Sequence, residues 1–135
     1  MKKFKFVALM LALIFSLQIA ACAATVQPRG RYLQSGSCSI AAGDNCVTIS
    51  GQTDAYQDVD EISVTVTILK EVSSGYFRAV WSDTATATDD CQVVYTNTTV
   101  AMEPGYRYMV EATHTVKHNG VTETNYSEAG YAYVY

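Results

Sequence analysis

The residue types that carry nucleophilic or general-base catalysis are scarce in this chain, and their spacing keeps them apart. Its 135 residues include two histidines, His114 and His118, near the end of a predicted strand. At a spacing of four they share a strand face but lie about 13 Å apart, so they cannot share a metal unless the strand ends between them. The sequence contains no nucleophile-elbow, zinc-protease or phosphate-loop motif. It therefore predicts no catalytic residues, and we expect a protein that is not an enzyme.

The acidic residues offer one metal-binding alternative. Asp54, Asp58, Asp60 and Glu61 lie close together in a polar segment, and carboxylates in a loop can hold Ca²⁺, which takes several oxygen ligands. Their spacing matches no standard calcium loop, and a solvated loop between strands explains them equally well. Glycoside hydrolysis would need two acids flanking a cleft, for which a domain of this size rarely has room. We therefore expect no metal site and no cofactor.

Tyrosine is the unusual component of the composition, with ten residues against four Phe and one Trp. Tyr131, Tyr133 and Tyr135 alternate at the C-terminus, so their rings share one face of a strand. A tyrosine ring buries well and carries a polar tip, which suits both sheet packing and recognition. Two interpretations stay open: exposed rings that bind a glycan or a peptide, and cross-strand packing that holds the last strand in place.

Three cysteines follow the N-terminal segment, and outside the cell one disulfide bridge among them is expected. A two-residue turn at Gly43-Asp44 would put Cys38 on the inner face of its hairpin and Cys46 on the outer. We place Cys38–Cys46 first because these two are nearest in sequence, although it needs a longer loop or a shifted register. Bridges from Cys91 to either partner stay open, and one thiol is left over in every case.

The chain begins with the features of a bacterial secretory signal peptide. Three lysines occur in the first five residues, an apolar run follows over residues 7–20, and small residues come next. The run is too short to span a bilayer, so residues 1–24 are interpreted as a cleaved signal. Residues 25–135 then form one domain. Removing the signal leaves 111 residues and changes the net charge from −4 to −7.

The cleavage site allows two products. Ala21-Cys22-Ala23 fits ordinary signal peptidase, which releases a secreted protein, and this product is slightly favoured. Ile19-Ala20-Ala21-Cys22 fits a lipoprotein box, in which Cys22 would carry a lipid and hold the protein at the outer face of the cell membrane. The remaining basic residues are scattered, which argues against nucleic acid as a partner and against binding to an anionic membrane surface.

The elements that must position these residues are predicted to be strands. Ile62 to Ile68 alternates apolar and Thr/Ser residues, and Tyr106 to Val116 places its even residues inward. Asn119-Gly120 is a strong hairpin signal, whereas 54–60 and 83–90 are predicted as loops, the latter alternatively as a weak edge. Further strands are predicted over residues 32–41, from 46, and over 76–81, 91–100 and 121–134.

About seven short strands separated by turns predict an all-β fold, an antiparallel β-sandwich, with a small closed barrel as the alternative. The segment Met102–Ala112 resembles the fibronectin type III signature L-x-P-G-x-x-Y-x-V-x-V/A. The resemblance implies an immunoglobulin/fibronectin type III-like sandwich. It also implies that Pro104-Gly105 forms a turn and that Tyr108 is a buried corner tyrosine bonded to nearby backbone. The tryptophan usual on the second strand of that family is absent, and Trp81 comes later.

The exported region as a whole also resembles a family of small exported proteins from Gram-positive gut bacteria (Firmicutes), a family of unknown function. The residues that carry this resemblance are Pro28-Arg29, Tyr32-Leu33, Asp58 to Ile62, and Pro104 to Tyr108 with the final hairpin. The resemblance implies export and fold but no activity. We expect a non-enzymatic extracellular or surface interaction module. The alternatives are an accessory envelope protein without a specific ligand and a carbohydrate-binding module that uses the C-terminal tyrosines.

Overall fold

The structure is a computed structural model that describes residues 24–26 and 30–135. The predictions for residues 1–23, including the lipidation of Cys22, lie outside the described residues. Six strands follow one another: β1 (Ala24–Val26), β2 (Leu33–Gly43), β3 (Cys46–Ser73), β4 (Tyr76–Ala101), β5 (Arg107–His118) and β6 (Val121–Tyr133). In the described part of the chain, no helix is long and apolar enough to cross a membrane.

The prediction of an all-β, antiparallel fold is confirmed. The strands form one sheet in the order β1-β2-β3-β5-β6, with β4 paired to β3, and every pair of neighbouring strands is antiparallel. The expectation of a loop at residues 54–60 is wrong, because β3 passes through this segment, whereas residues 83–90 lie in the edge strand β4, as the alternative of a weak edge predicts. A register shift between Asp54 and Val59 absorbs the unmatched residues, so pairing resumes on either side of it.

The burial pattern of β3 changes phase close to this bulge. Odd-numbered residues, such as Val47 and Ile49, face the core as far as Val59, and even-numbered residues do so from Ile62 onward. The alternation is therefore reversed between Val59 and Ile62, just after the register shift. The long β3 therefore keeps an apolar inner face along both of its halves.

The sheet curls so that its inner face covers itself. The first half of β3 pairs with β2 and the second half with β5, and β2 lies across the core from β5. The two layers approach closely at Gly51, where an added Cβ would lie 2.7 Å from Val66 Cγ1 and 2.9 Å from Val64 Cγ2. Such distances leave no room for a side chain, so a glycine is required there.

Two hairpin turns have the backbone that their residues favour. At Asn119-Gly120 both residues have positive φ, 50° and 75°, and His118 pairs with Val121, as the dipeptide predicts. The first hairpin differs from the prediction, because Gly43 pairs with Cys46 and the turn is Asp44-Asn45. The strand pairing is shifted by two positions relative to the prediction. A shift by an even number leaves each side chain on its predicted face, so Cys38 lies on the inner face and is buried.

Candidate functional site

A group of exposed tyrosines and one phenylalanine lies on the outer face of β6 and β4. Tyr131, Tyr133 and Tyr135 have exposed fractions of 62%, 45% and 77%, while Ala132 and Val134 between them are buried. Phe77 of β4 reaches the same place and stacks on Tyr131, with ring centroids 5.4 Å apart. We call Phe77, Tyr131, Tyr133 and Tyr135 the aromatic patch. The three tyrosines lie on the same face of the strand, as their alternation in the sequence predicts.

A bulge in β6 sets the direction of these rings. Tyr108 pairs with Ala132 and Met109 pairs with Gly130, so Tyr131 has no partner on β5. A Cβ at position 130 would lie 2.7 Å from Met109 Cβ, which explains a glycine there. The bulge changes which residues face outward, and the three final tyrosines consequently leave the core.

An ion pair lies beside the patch and fixes it. Arg107 Nε and Nη2 each donate to a carboxylate oxygen of Glu71 at 2.6 Å. Glu71 also accepts a hydrogen bond from the backbone N–H of Gly75 at 2.8 Å. The bond from Arg107, aided by that from Gly75, holds the pKa of Glu71 below its usual value. The Arg107 guanidinium lies 5.3 Å from the ring centroid of Tyr131, a distance at which the cation is attracted to the face of the ring.

The end of the chain is tied to the rest of the fold. Val134 N donates to Tyr106 O at 3.1 Å, and its carbonyl accepts from Gly105 N at 2.8 Å. The carbonyl of Tyr135 accepts from Asn45 N at 3.2 Å. The rings of Tyr133 and Tyr135 meet edge to face, 5.0 Å apart and at 68°. The patch is therefore held in shape before any ligand arrives, although its rings do not form one flat platform.

The Pro104-Gly105 turn and Tyr108 lie directly behind the patch. Gly105 has φ of +87°, and Tyr108 is 1% exposed. The Tyr108 hydroxyl donates to the carbonyl of Glu103 at 2.7 Å, five residues earlier in the chain. A buried ring bonded to upstream backbone is the contact expected of a corner tyrosine, and it braces the start of β5.

A buried polar chain crosses the core at His114, which is fully buried. Thr53 Oγ1 donates to Ser63 O at 3.0 Å and contacts His114 Nδ1 at 2.8 Å, while Ser127 Oγ contacts Nε2 at 2.7 Å. Ser127 Oγ also donates to Cys38 Sγ at 3.3 Å, so both hydroxyl groups beside the ring have a second acceptor, and either ring nitrogen can carry the proton of the neutral imidazole. Burial, the dominant effect, lowers the pKa of His114 to about 4. His114 is a neutral structural residue in this arrangement.

His118 lies apart from His114 and takes a different role. It is partly exposed, its Nδ1 lies 3.2 Å from Asp60 Oδ1, and its Nε2 lies 3.0 Å from Gln57 Nε2. Its ring also contacts Tyr32 edge to face at 4.9 Å. The sequence places the two histidines on one strand, and the structure gives them separate surroundings with no shared site.

The four acids considered for calcium do not converge. Asp54 accepts hydrogen bonds from Ser35, Gln52 and Gln92, and Glu61 pairs with Lys117 at 2.6 Å. Asp60 accepts a bond from Asn119 N at 2.9 Å, which supports the β5–β6 turn. The remaining acid, Asp58, lies with Asp90 and Cys91 in an exposed group whose ligand atoms are all within 4.8 Å of one another.

The expected disulfide bridge is absent from the described residues, where Cys38, Cys46 and Cys91 are free thiols. Cys46 pairs with Gly43, five residues along β2 from Cys38, which separates the first-choice pair by about 17 Å. A bridge needs Cα atoms within about 7 Å. Cys91 is exposed on β4, four residues from the Tyr95 that pairs with Gly51, so it is out of reach of both others.

Sequence reasoning missed two features that the fold creates. One is the pair Glu71 and Arg107 with Phe77, which come from three strands and meet only through cross-strand register. The other is the set of partners around His114, although the alternation of β5 does place that residue inward. Neither leaves a signal in local sequence, because the partners are 36 and 61 positions apart.

Three comparisons place the chain among known proteins. Residues 23–130 match a profile described as "Family of unknown function (DUF6147)". No curated protein matches. Among solved structures, the solution structure of CsgH from R. palustris is similar at a TM-score of 0.37 and 19% identity. That similarity covers 67% of this chain and 89% of CsgH.

The buried histidine predicts a pH dependence of stability. Because the folded pKa of His114 lies below its ordinary value, its contribution is full above about pH 6.5 and is lost as the pH falls toward 4. Between pH 7 and pH 4 the free energy of unfolding should fall by about 2 to 3 kcal/mol from this residue.

Urea unfolding of the wild type and of His114→Gln at several pH values measures this contribution. The variant should show a smaller loss of stability across the window, because glutamine does not titrate. Val121→Ala, an exposed change that removes no titratable group, serves as the control and should keep the slope of the wild type. Equal slopes for His114→Gln and wild type would contradict the assignment.

Proposed function

We propose that this chain, which belongs to the DUF6147 family of unknown function, is an exported, non-enzymatic interaction module that binds its partner through the aromatic patch. The observation that carries the proposal is a set of exposed rings held rigidly in place. Tyr131 alone is 62% exposed while it contacts both Phe77 and Arg107. Aromatic residues and arginine dominate the binding energy of protein interfaces, and rings that are already ordered lose little entropy on binding.

The shape of the patch favours a polypeptide as the partner. Phe77 and Tyr131 lie at 27° to each other, whereas Tyr133 and Tyr135 lie at 68°. Rings at several angles form ridges and a polar edge, which suit the side chains of a protein surface. A glycan is the second candidate, since the rings are exposed and one or two of them could stack on a sugar.

We propose no enzymatic activity because of the surroundings of the two histidines. His114 has both ring nitrogens engaged in the core, so it cannot reach a substrate. His118 is bonded to Asp60 and Gln57, and no serine or cysteine is bonded to it among the described residues. A nucleophile would need a base in contact with it.

We also propose that the curled sheet is an immunoglobulin- or fibronectin type III-like sandwich. The bulge between Asp54 and Val59 divides β3 into halves that pair with different strands, which brings the number of strand segments close to seven. The bond from Tyr108 to the Glu103 carbonyl supports the same proposal.

Export rests on the N-terminal sequence. The basic start, the apolar run and the small residues after it favour removal of residues 1–24, with lipid attachment to Cys22 as the alternative. Ala24, the first residue that the structure describes, pairs with Cys38, so the residue next to the proposed cleavage site belongs to the sheet. We therefore propose a secreted protein, or one anchored in the membrane only through its lipid.

Binding through the aromatic patch can be tested with peptides selected from a random display library on the immobilised protein. Tyr131→Ala and Tyr133→Ala should each weaken the selected peptides by about thirtyfold or more, because they remove ordered rings from the contact. The measurement is a binding titration by fluorescence anisotropy.

Tyr126→Ala is the matched control, because Tyr126 is 65% exposed on the same strand outside the patch. Its affinity should equal that of the wild type. Peptides that bind all three variants equally would contradict the proposal. If soluble glycans bind in place of peptides and show the same pattern of losses, the second candidate is correct.

Export is tested by intact mass spectrometry of the protein made in a Gram-positive host. The proposed secreted form has a mass that begins at Ala24 or Thr25. A diacylglycerol on Cys22 would identify the anchored form instead. A chain that retains residues 1–24 in full would contradict export.

A further inference from the structure

We propose that the polypeptide bound by the aromatic patch carries a lysine or arginine, which binds to two glutamates beside the patch, Glu111 and Glu128. We call these two residues the acidic pair. The inference rests on the proposed function, because it names the chemistry of the partner that the same surface binds. Three features of the described residues carry it: two like charges directly opposite each other, no basic residue next to them, and a gap in the surface that joins them to the patch.

The acidic pair lies across two neighbouring strands, with Glu111 on β5 opposite Glu128 on β6. The residues before and after each of them along the strand are buried, whereas both glutamates are exposed on the outer face. Residues that pair across antiparallel strands have Cα atoms about 4.5 to 5.5 Å apart, and like charges in such a pair destabilise the sheet. The fold therefore keeps a repulsive pair where a neutral residue would cost less.

No basic residue of the described chain compensates the acidic pair. Neither glutamate forms an ion pair with a described residue. The neighbouring positions on the outer face are all uncharged: Thr65, Thr67, Leu69, Met109, Thr113, Tyr126 and Gly130. The repulsion between the two carboxylates is therefore not relieved from within the described part of the sheet.

Two other glutamates on the same face do have basic partners. Glu61 lies opposite Lys117 and pairs with it at 2.6 Å. Glu71 pairs with Arg107 at 2.6 Å. A cation from outside the chain would supply to the acidic pair what Lys117 and Arg107 supply to these two.

A gap in the outer surface connects the acidic pair to the aromatic patch. The next outer pair along β5 and β6 is Met109 and Gly130, about 7 Å away, and Tyr131 follows Gly130 directly. Gly130 has no side chain, so the surface is low there, between the Tyr131 ring and the two carboxylates. A lysine or arginine that crosses this gap can lay its methylene groups on Met109 and place its charge between the two glutamates.

Arg107 does not oppose such a partner strongly. It is four residues from Glu111 on the same strand, about 13 Å away, which is beyond the screening length of about 8 Å at physiological salt. Its charge is also balanced by two hydrogen bonds to Glu71 at 2.6 Å. Removal of residues 1–24 leaves a net charge of −7, which speeds the encounter with a basic partner and slows it with an acidic one.

Peptides selected from a random display library on the wild-type protein, then synthesised with a fluorophore, test this inference. Lysine and arginine should occur in them about twice as often as in the unselected library, or more. The double variant Glu111→Gln, Glu128→Gln should bind these peptides about fivefold more weakly, because two exposed charge contacts are lost. Titration by fluorescence anisotropy measures the loss. Raising NaCl from about 50 to about 500 mM should weaken the wild type by a similar factor and the double variant less than about twofold.

The matched control is the double variant Asp58→Asn, Asp90→Asn. It also removes two exposed carboxylates that lie close together, but they are on β3 and β4, outside the patch. Its affinity for the same peptides should equal that of the wild type. The comparison separates the acidic pair from the net charge of the protein.

A single charge reversal separates binding from stability. Glu128→Lys sets opposite charges across β5 and β6, so the midpoint of thermal unfolding should rise by about 2 °C. The same variant should bind the selected peptides about tenfold more weakly, because it repels their basic residue. A loss of binding that came from misfolding would be accompanied by a lower midpoint.

Three results would overturn the inference: selected peptides without enrichment in lysine and arginine, equal affinity of the wild type and the Glu111→Gln, Glu128→Gln variant, or an equal loss in the Asp58→Asn, Asp90→Asn control. If such peptides still lose affinity in Tyr131→Ala, the proposed function stands and only the charge preference fails. If basic peptides depend on the acidic pair but bind Tyr131→Ala like the wild type, the charge preference stands and the proposed function fails. A library that yields no binding peptide overturns both.

Discussion

The fold depends on one constraint: a single antiparallel sheet has to cover its own apolar face. It does so by curling until β2 lies across the core from β5 and β6. The approach is close, since an added Cβ at Gly36 would lie 2.3 Å from the His114 ring. His114 lies at that crossing and bonds to both layers through Thr53 and Ser127. Its polar groups are satisfied, which removes the cost of burying them.

Bulges decide what the closed sheet presents to solvent. The alternation of β3 reverses between Val59 and Ile62, just beyond the register shift, and its apolar residues stay inside along both halves. The unpaired Tyr131 turns the end of β6 outward and so produces the aromatic patch. The exposed aromatic rings follow from the register of the strands, and the buried His114 belongs to the core that supports them.

Much of this could be predicted from alternation. The inner face of β5, with Tyr108 and His114, and the common face of the three C-terminal tyrosines follow from a period of two. What could not be predicted depends on long-range register. Residues 54–60 look like a loop because they are polar, but a bulge and bonds to Asp54 and Asp60 keep them in the sheet. The short separation in sequence likewise favours a Cys38–Cys46 bridge, whereas the pairing of β2 with β3 keeps the two thiols apart on one hairpin.

The most direct test of the account is the state of His114 in the folded protein, read from long-range ¹H–¹⁵N correlation spectra of its ring. We expect a neutral imidazole, unchanged between pH 7 and pH 5, because burial lowers its pKa to about 4 and both ring nitrogens contact hydroxyl groups of the core. An imidazolium that forms near pH 6.5 would contradict a closed core built around this residue.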